Sequence, residues 1–173
     1  MSEHPYLLEF FETDTGVQPC RRFIDKALTK TQRAALIAAL EEILAREGQD
    51  VCGTPFGKQL GKGLFEFRLD LDADAVRSIR RSDKRGSGPT KAHEAILLRV
   101  FCHAYGDKII LLIAGYDKLA DSKAQNREIQ TAQKYLGQFK QQHARTGSKL
   151  SKTRQADIPV RRRFETPGVE IEP

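Results

Sequence analysis

The chain has 173 residues, an apolar content of 39% and a formal net charge of +6, which suits one domain with a real core and a polar tail. Its longest apolar run, residues 109–114, is too short to cross a bilayer, and the acidic, polar start Met1-Ser2-Glu3-His4 lacks the basic end and apolar block of a signal peptide, so a soluble, cytoplasmic protein without membrane contact is expected. Cys20, Cys52 and Cys102 are odd in number and widely spaced, which suggests neither a disulfide framework nor a zinc site.

Along the chain, Tyr6-Leu7-Leu8-Glu9-Phe10-Phe11 reads as a first strand and Thr13-Asp14-Thr15-Gly16 as its turn. Pro19 suits a first helical turn, and Phe23, Ile24, Ala27 and Leu28 follow at helical spacing. Thr29-Lys30-Thr31-Gln32 matches a capping box that opens a second helix with a stripe of Leu36, Ile37, Leu40, Ile43 and Leu44, closed by Gly48. Together these predict a helical hairpin. Residues 52–63 are rich in glycine and read as a connecting loop from which Lys58 and Lys62 project. In the strand over 64–71, Phe65, Phe67, Leu69 and Leu71 alternate with Glu66, Arg68 and Asp70, as on a sheet with helices on one face and solvent or ligand on the other.

A weak further strand is predicted over 75–80, then an exposed hairpin extension, about 72–95 in all, with Arg80, Arg81, Lys84, Arg85 and Lys91. Strands over 96–103 and 109–118 follow, and Asp121 or Ser122 caps a helix whose inner face is Ile129, Ala132, Leu136 and Phe139. Residues 145–173 lack periodicity, contain Arg161-Arg162-Arg163 and three prolines, and read as a basic, disordered tail beyond a domain of residues 1–144. The hairpin-length links between strands predict an α+β domain. Its small sheet, antiparallel or mixed at most, packs against the N-terminal helical hairpin and the C-terminal helix.

Charge narrows the function class. Residues 1–60 hold 7 Lys or Arg against 9 Asp or Glu, residues 61–144 hold 15 against 10, and residues 145–173 hold 7 against 4. A basic second half suits an acidic partner such as nucleic acid, although a solvated basic surface explains the same count. A phosphate-binding glycine loop, a His-Glu-x-x-His pair and a nucleophile elbow are all missing from the sequence, so neither a cofactor nor a metal is called for.

Five pieces in order carry a resemblance: Lys58-Gln59-Leu60; Gly63-Leu64-Phe65-Glu66-Phe67-Arg68; Leu98-Arg99-Val100-Phe101; Leu111-Leu112 with Gly115-Tyr116-Asp117-Lys118; and Arg127-Glu128-Ile129 with Ala132. Over residues 6–140 the chain resembles the phage-derived branch of the RelE/HigB toxin superfamily. The resemblance implies a RelE-like fold and the toxin of a type II toxin-antitoxin system. Such a toxin is a metal-independent endoribonuclease, or mRNA interferase, that cleaves messenger RNA, commonly on the ribosome. A cognate antitoxin, for which a helix-turn-helix type is an option, silences it.

In such RNases the RNA 2′-hydroxyl attacks the adjacent phosphate, so a proton must be removed, another supplied and a dianion-like transition state stabilised. On that logic Arg68 and Arg99 are the phosphate clamps, since a guanidinium holds phosphate oxygens bidentately and stays charged. Lys118 adds charge or acts as acid or base, and Tyr116 stacks on a base or holds an oxygen. Lys58, Lys62, Lys123 and Arg127 are candidate substrate-binding cations. Each has a structural alternative: Arg68 pairs with Glu66 or Asp70, Arg99 forms a buried ion pair, Tyr116 belongs to the core, and Lys118 is a solvated turn residue. His103 has the strand parity of Arg99 and suits proton transfer, or is structural. Leu119 stands where the family has a second lysine, which Lys123 replaces if one residue is inserted. With the lengthened hairpin, that departure admits an alternative: a catalytically inactive relative that binds RNA or protein, as a phage-derived regulatory or structural protein does.

Overall fold

The structure, a computed structural model, describes residues 4–76 and 95–146. The expected tail beyond 146, most of the hairpin extension, and the cations at 80, 81, 84, 85, 91 and 161–163 lie outside the described residues.

Five strands form one mixed sheet. In chain order they are β1 (Leu7–Phe10), β2 (Gly57–Gly61), β3 (Leu64–Leu71), β4 (Ile96–Tyr105) and β5 (Ile109–Asp117), in the spatial order β1-β5-β4-β3-β2. β1 runs parallel to β5, while the other three pairings are antiparallel. A parallel neighbour needs a long crossover, which the rest of the domain supplies here.

The helical hairpin forms where the spacing predicts. α1 (Pro19–Arg22) opens with Pro19 in its first turn and runs directly into a wide π-helical turn, Phe23–Ala27. α2 (Lys30–Ala39) begins at a complete capping box, in which the Gln32 N–H donates to Thr29 Oγ1 at 3.2 Å and the Thr29 N–H donates to Gln32 Oε1 at 2.9 Å. Its helical course continues through Leu40–Leu44 and Ala45–Glu47 and ends on Gly48, whose φ of +56° costs an L side chain steric strain. Leu36, Leu40 and Leu44 are fully buried, with Ile37 and Ile43 partly so.

Leu8, Phe65, Phe67, Leu69, Leu98, Val100, Cys102, Ile110 and Leu112 make the sheet face that packs on this hairpin. Burial pushes the thiols of Cys20 and Cys102 far above the ordinary range, so both behave as small core residues. The opposite face carries Leu64, Phe101, Leu111, Ile113 and Tyr116, and α3 (Gln125–Thr146) covers it with Ala132 and Leu136. Helices therefore lie on both faces, which corrects the expectation of an open second face.

Three further expectations change. The glycine-rich stretch read as a loop contains β2, an edge strand paired to β3; its glycines hide the alternation that marks a strand. Residues 73–76 form a helical turn started by Asp72, whose Oδ1 accepts from the Ala75 N–H at 2.8 Å, at the first two positions of the strand expected over 75–80, the rest of which lies outside the described residues. The last helix starts at Gln125, because Asp121 caps the preceding turn by accepting from the Lys123 N–H at 3.1 Å.

Candidate functional site

Register decides which candidates meet. Arg68 on β3 lies opposite Arg99 on β4, and Arg99 lies opposite Tyr116 on β5. One row across three strands therefore carries three of the four proposed catalytic residues on the face that α3 shares. The Lys118 N–H, one residue past β5, donates to the Leu97 carbonyl at 2.9 Å and so extends that pairing beyond the end of the strand. Lys58 lies opposite Glu66 on β2 and is exposed.

Two cations directly opposed across strands repel, and the flanking positions of β3 supply the remedy. Glu66 is 0% exposed and accepts from Arg68 Nε at 2.8 Å, with Arg99 Nε 3.8 Å from the same oxygen. Asp70, two rungs the other way, takes Arg99 Nη1 at 2.5 Å, and Arg99 Nη1 also donates to the Leu98 carbonyl at 3.0 Å. Two arginines and two carboxylates thus alternate across adjacent strands. Arg99, 3% exposed, is the inner cation. The side chains of Arg68 and Asp70 retain 28% and 52% exposure and form the outer rim.

Two polar atoms inside this cluster are unsatisfied. Neither Glu66 Oε2 nor the Tyr116 hydroxyl has a hydrogen-bond partner among the described residues, although both atoms are buried. Tyr116 is 7% exposed and stacks on Phe101 with ring centroids 5.8 Å apart. Burial first, then the Glu66 carboxylate, push its phenol up to about 12, against the opposing pull of Arg99 and Arg68. At neutral pH the group is a protonated donor.

The other candidates disperse. Lys62 sits in the β2–β3 turn with φ of +55°, and its carbonyl accepts from Lys140 Nζ at 3.4 Å. Arg127 Nη2 binds Asp121 at 2.8 Å on the surface, which lowers the Asp121 carboxyl and raises the guanidinium. Lys123 is exposed beside it. His103 Nδ1 lies 2.8 Å from the Gly63 carbonyl and its ring faces Tyr105 and Phe139, so it is held at the opposite end of the sheet from Arg99. Leu119 is exposed.

Sequence reasoning offered Glu66 and Asp70 only as alternative partners of Arg68, and the structure pairs Glu66 with Arg68 but Asp70 with Arg99. Their signal was present as carboxylates two positions either side of Arg68, but which cation each one serves depends on strand register. Among the described residues, no three or more His, Cys, Asp or Glu side chains are grouped to hold a metal, and no helix is long and apolar enough to cross a membrane. No family model, curated protein or solved structure matches the chain.

Proposed function

We propose that the protein is a cytoplasmic toxin of the RelE/HigB kind that cleaves messenger RNA, with the ribosome as its working context and an antitoxin protein as its inhibitor. The observation that carries this reading is the row of Arg68, Arg99 and Tyr116 across three adjacent strands, with Lys118 two residues beyond Tyr116 just past the end of β5. A phosphate arriving at the rim meets Arg68 and, by displacing Asp70, the inner guanidinium of Arg99. Arg99 then neutralises the charge that grows as the 2′-hydroxyl attacks the phosphorus and the 5′-oxygen leaves. The Asp70 carboxylate, released from Arg99 at the exposed rim, takes the proton of the attacking 2′-hydroxyl. Lys118 gives a proton to the leaving 5′-oxygen, and the protonated Tyr116 hydroxyl donates to a nonbridging oxygen.

A second reading has its own support: Glu66 and Asp70 already neutralise both arginines, and the Tyr116 hydroxyl is buried. A protein with this arrangement binds RNA or a protein partner through its remaining cations and does not cleave. The two readings separate on induced expression in a bacterial host of wild type beside Lys118→Ala and Arg68→Ala, with growth followed and new RNA 5′ ends mapped. Arrest with new ends from wild type alone supports the nuclease. Unimpaired growth without new ends, from soluble folded protein, overturns it in favour of the binding module.

A further inference from the structure

The cations left without a carboxylate lie elsewhere. Between α1 with its π-helical turn and the middle of α3 runs a cleft of about 420 Å³, lined by Val17, Pro19, Arg22, Phe23, Lys26 and Tyr135. It continues along α1 into a second hollow of about 370 Å³ that shares Val17, Arg22 and Lys26. Arg22 and Lys26, four residues apart, are exposed, and neither has an ion-pair partner among the described residues. The neighbouring acidic groups are engaged: Asp25 pairs with Arg21 at 3.6 Å, and Glu12 accepts from Gln18 at 3.2 Å.

Two unneutralised cations beside two half-buried aromatic rings are the components of a single-strand binding groove, in which cations follow the phosphates and bases stack on ring faces. The rings are firmly seated. Tyr135 packs on Phe11 with centroids 5.4 Å apart, and Phe23 lies so close to Gly115 that a Cβ there would come within 2.5 Å of it. Gly115 is next in the chain to Tyr116, so the wall of the cleft abuts the strand that carries the proposed reaction site.

We propose that the α1–α3 cleft binds single-stranded RNA, with Arg22 and Lys26 on successive phosphates and Tyr135 or Phe23 against a base. This rests on the RNA-directed reading given above and names a subsite that reading does not include. The test is fluorescence anisotropy with a short unstructured oligoribonucleotide, 2′-O-methylated to prevent cleavage, titrated over a range of salt. Wild type is compared with Arg22→Ala/Lys26→Ala, with Tyr135→Leu, and with Arg46→Ala, whose guanidinium pairs on the surface with Glu42 at 3.1 Å.

The double variant is expected to bind roughly tenfold more weakly at low salt, with the slope of log K against log salt shallower by about 1.4 because two phosphate contacts are gone. Tyr135→Leu weakens binding several-fold at an unchanged slope, and Arg46→Ala binds as wild type. Wild-type affinity and slope in the double variant would overturn the proposal, as would no measurable binding by wild type. Equal competition by a polyglutamate chain would also overturn it and assign the cleft to an acidic protein. Binding through the cleft by a protein that generates no new RNA ends in cells sinks the nuclease reading alone. New ends from a protein whose binding ignores Arg22 and Lys26 sink the cleft alone.

Discussion

The sheet row and the α1–α3 cleft each gather two cations, and they treat them in opposite ways. In the row, Arg99 is buried and both arginines are matched by Glu66 and Asp70. In the cleft, Arg22 and Lys26 stand in solvent with no carboxylate paired to them among the described residues. Burial explains the difference: a charge removed from water must be paired at once, whereas an exposed one is satisfied by solvent and stays free for a polyanion. A cation that must first leave a carboxylate to meet a ligand and one that meets it directly are therefore distinguishable by their partners, even though both contribute equally to a net charge of +6.

The most forceful way to break that comparison is Arg99→Ala. Its guanidinium holds Asp70 and stands beside the fully buried Glu66, so truncation leaves a buried carboxylate with Arg68 alone and is expected to cost about 3 kcal/mol in urea unfolding. Arg22→Ala/Lys26→Ala should leave the unfolding midpoint nearly unchanged. A row variant as stable as wild type would show that the ion cluster is not what secures the three strands, and the contrast between the two regions would collapse.

Gly115→Ala probes the seam between them. The added methyl would lie 2.5 Å from Phe23 Cδ1 and 3.0 Å from the Arg99 carbonyl oxygen, and overpacking of this kind costs about 2 kcal/mol. Phe23→Leu in the same chain should recover part of the loss in a double-mutant cycle. Additive costs would mean that the cleft wall and the strand beneath it are mechanically independent.

A smaller effect is expected at Arg33, which ties the cleft wall to α2. Its Nε donates to the Ile24 carbonyl at 2.9 Å and its Nη2 to the Asp25 carbonyl at 2.8 Å, so it fastens the π-helical turn that presents Lys26. Arg33→Ala should lower stability by about 1.5 kcal/mol and weaken oligoribonucleotide binding in the anisotropy titration without altering its salt slope, since the lost charge contacts no phosphate. An altered slope would make Arg33 a ligand contact in its own right.

What could be read from the sequence follows the range of the interactions. The Thr29–Gln32 capping box, Pro19 in the first turn and the Leu36, Leu40, Leu44 stripe depend on neighbours within a turn or two, and all three stand in the structure. The alternation of β3 was legible for the same reason. Its far face was misjudged because nothing near Glu66 in the chain announces that Leu136 and Ala132 of α3 close over that side of the sheet. Likewise, a local Arg68–Glu66 pair was one of the alternatives the sequence left open, but the opposition of Arg68 to Arg99 and the service of Asp70 to Arg99 emerge only from register. The α1–α3 cleft joins residues far apart in the chain, Arg22 with Tyr135, and left no trace that periodicity or composition could detect.

The smallest effect at neutral pH belongs to Tyr116→Phe, and it grows with alkali. The substitution removes a buried hydroxyl that has no partner among the described residues, so at pH 7 stability should be equal to wild type or slightly higher. The folded-state phenol is pushed up to about 12 from an ordinary value of 10.0. Below pH 10 both folded and unfolded tyrosine are protonated and the hydroxyl exerts no pH dependence. Between about 10 and 12 the unfolded chain releases the proton while the folded one retains it, so wild-type stability falls as pH rises through that window. In the Tyr116→Phe variant that component is absent. Urea midpoints for the pair at pH 8 and pH 11 should therefore diverge, with wild type losing more. Parallel decline would mean that the phenol titrates normally and that the space around it is wetter than its burial implies.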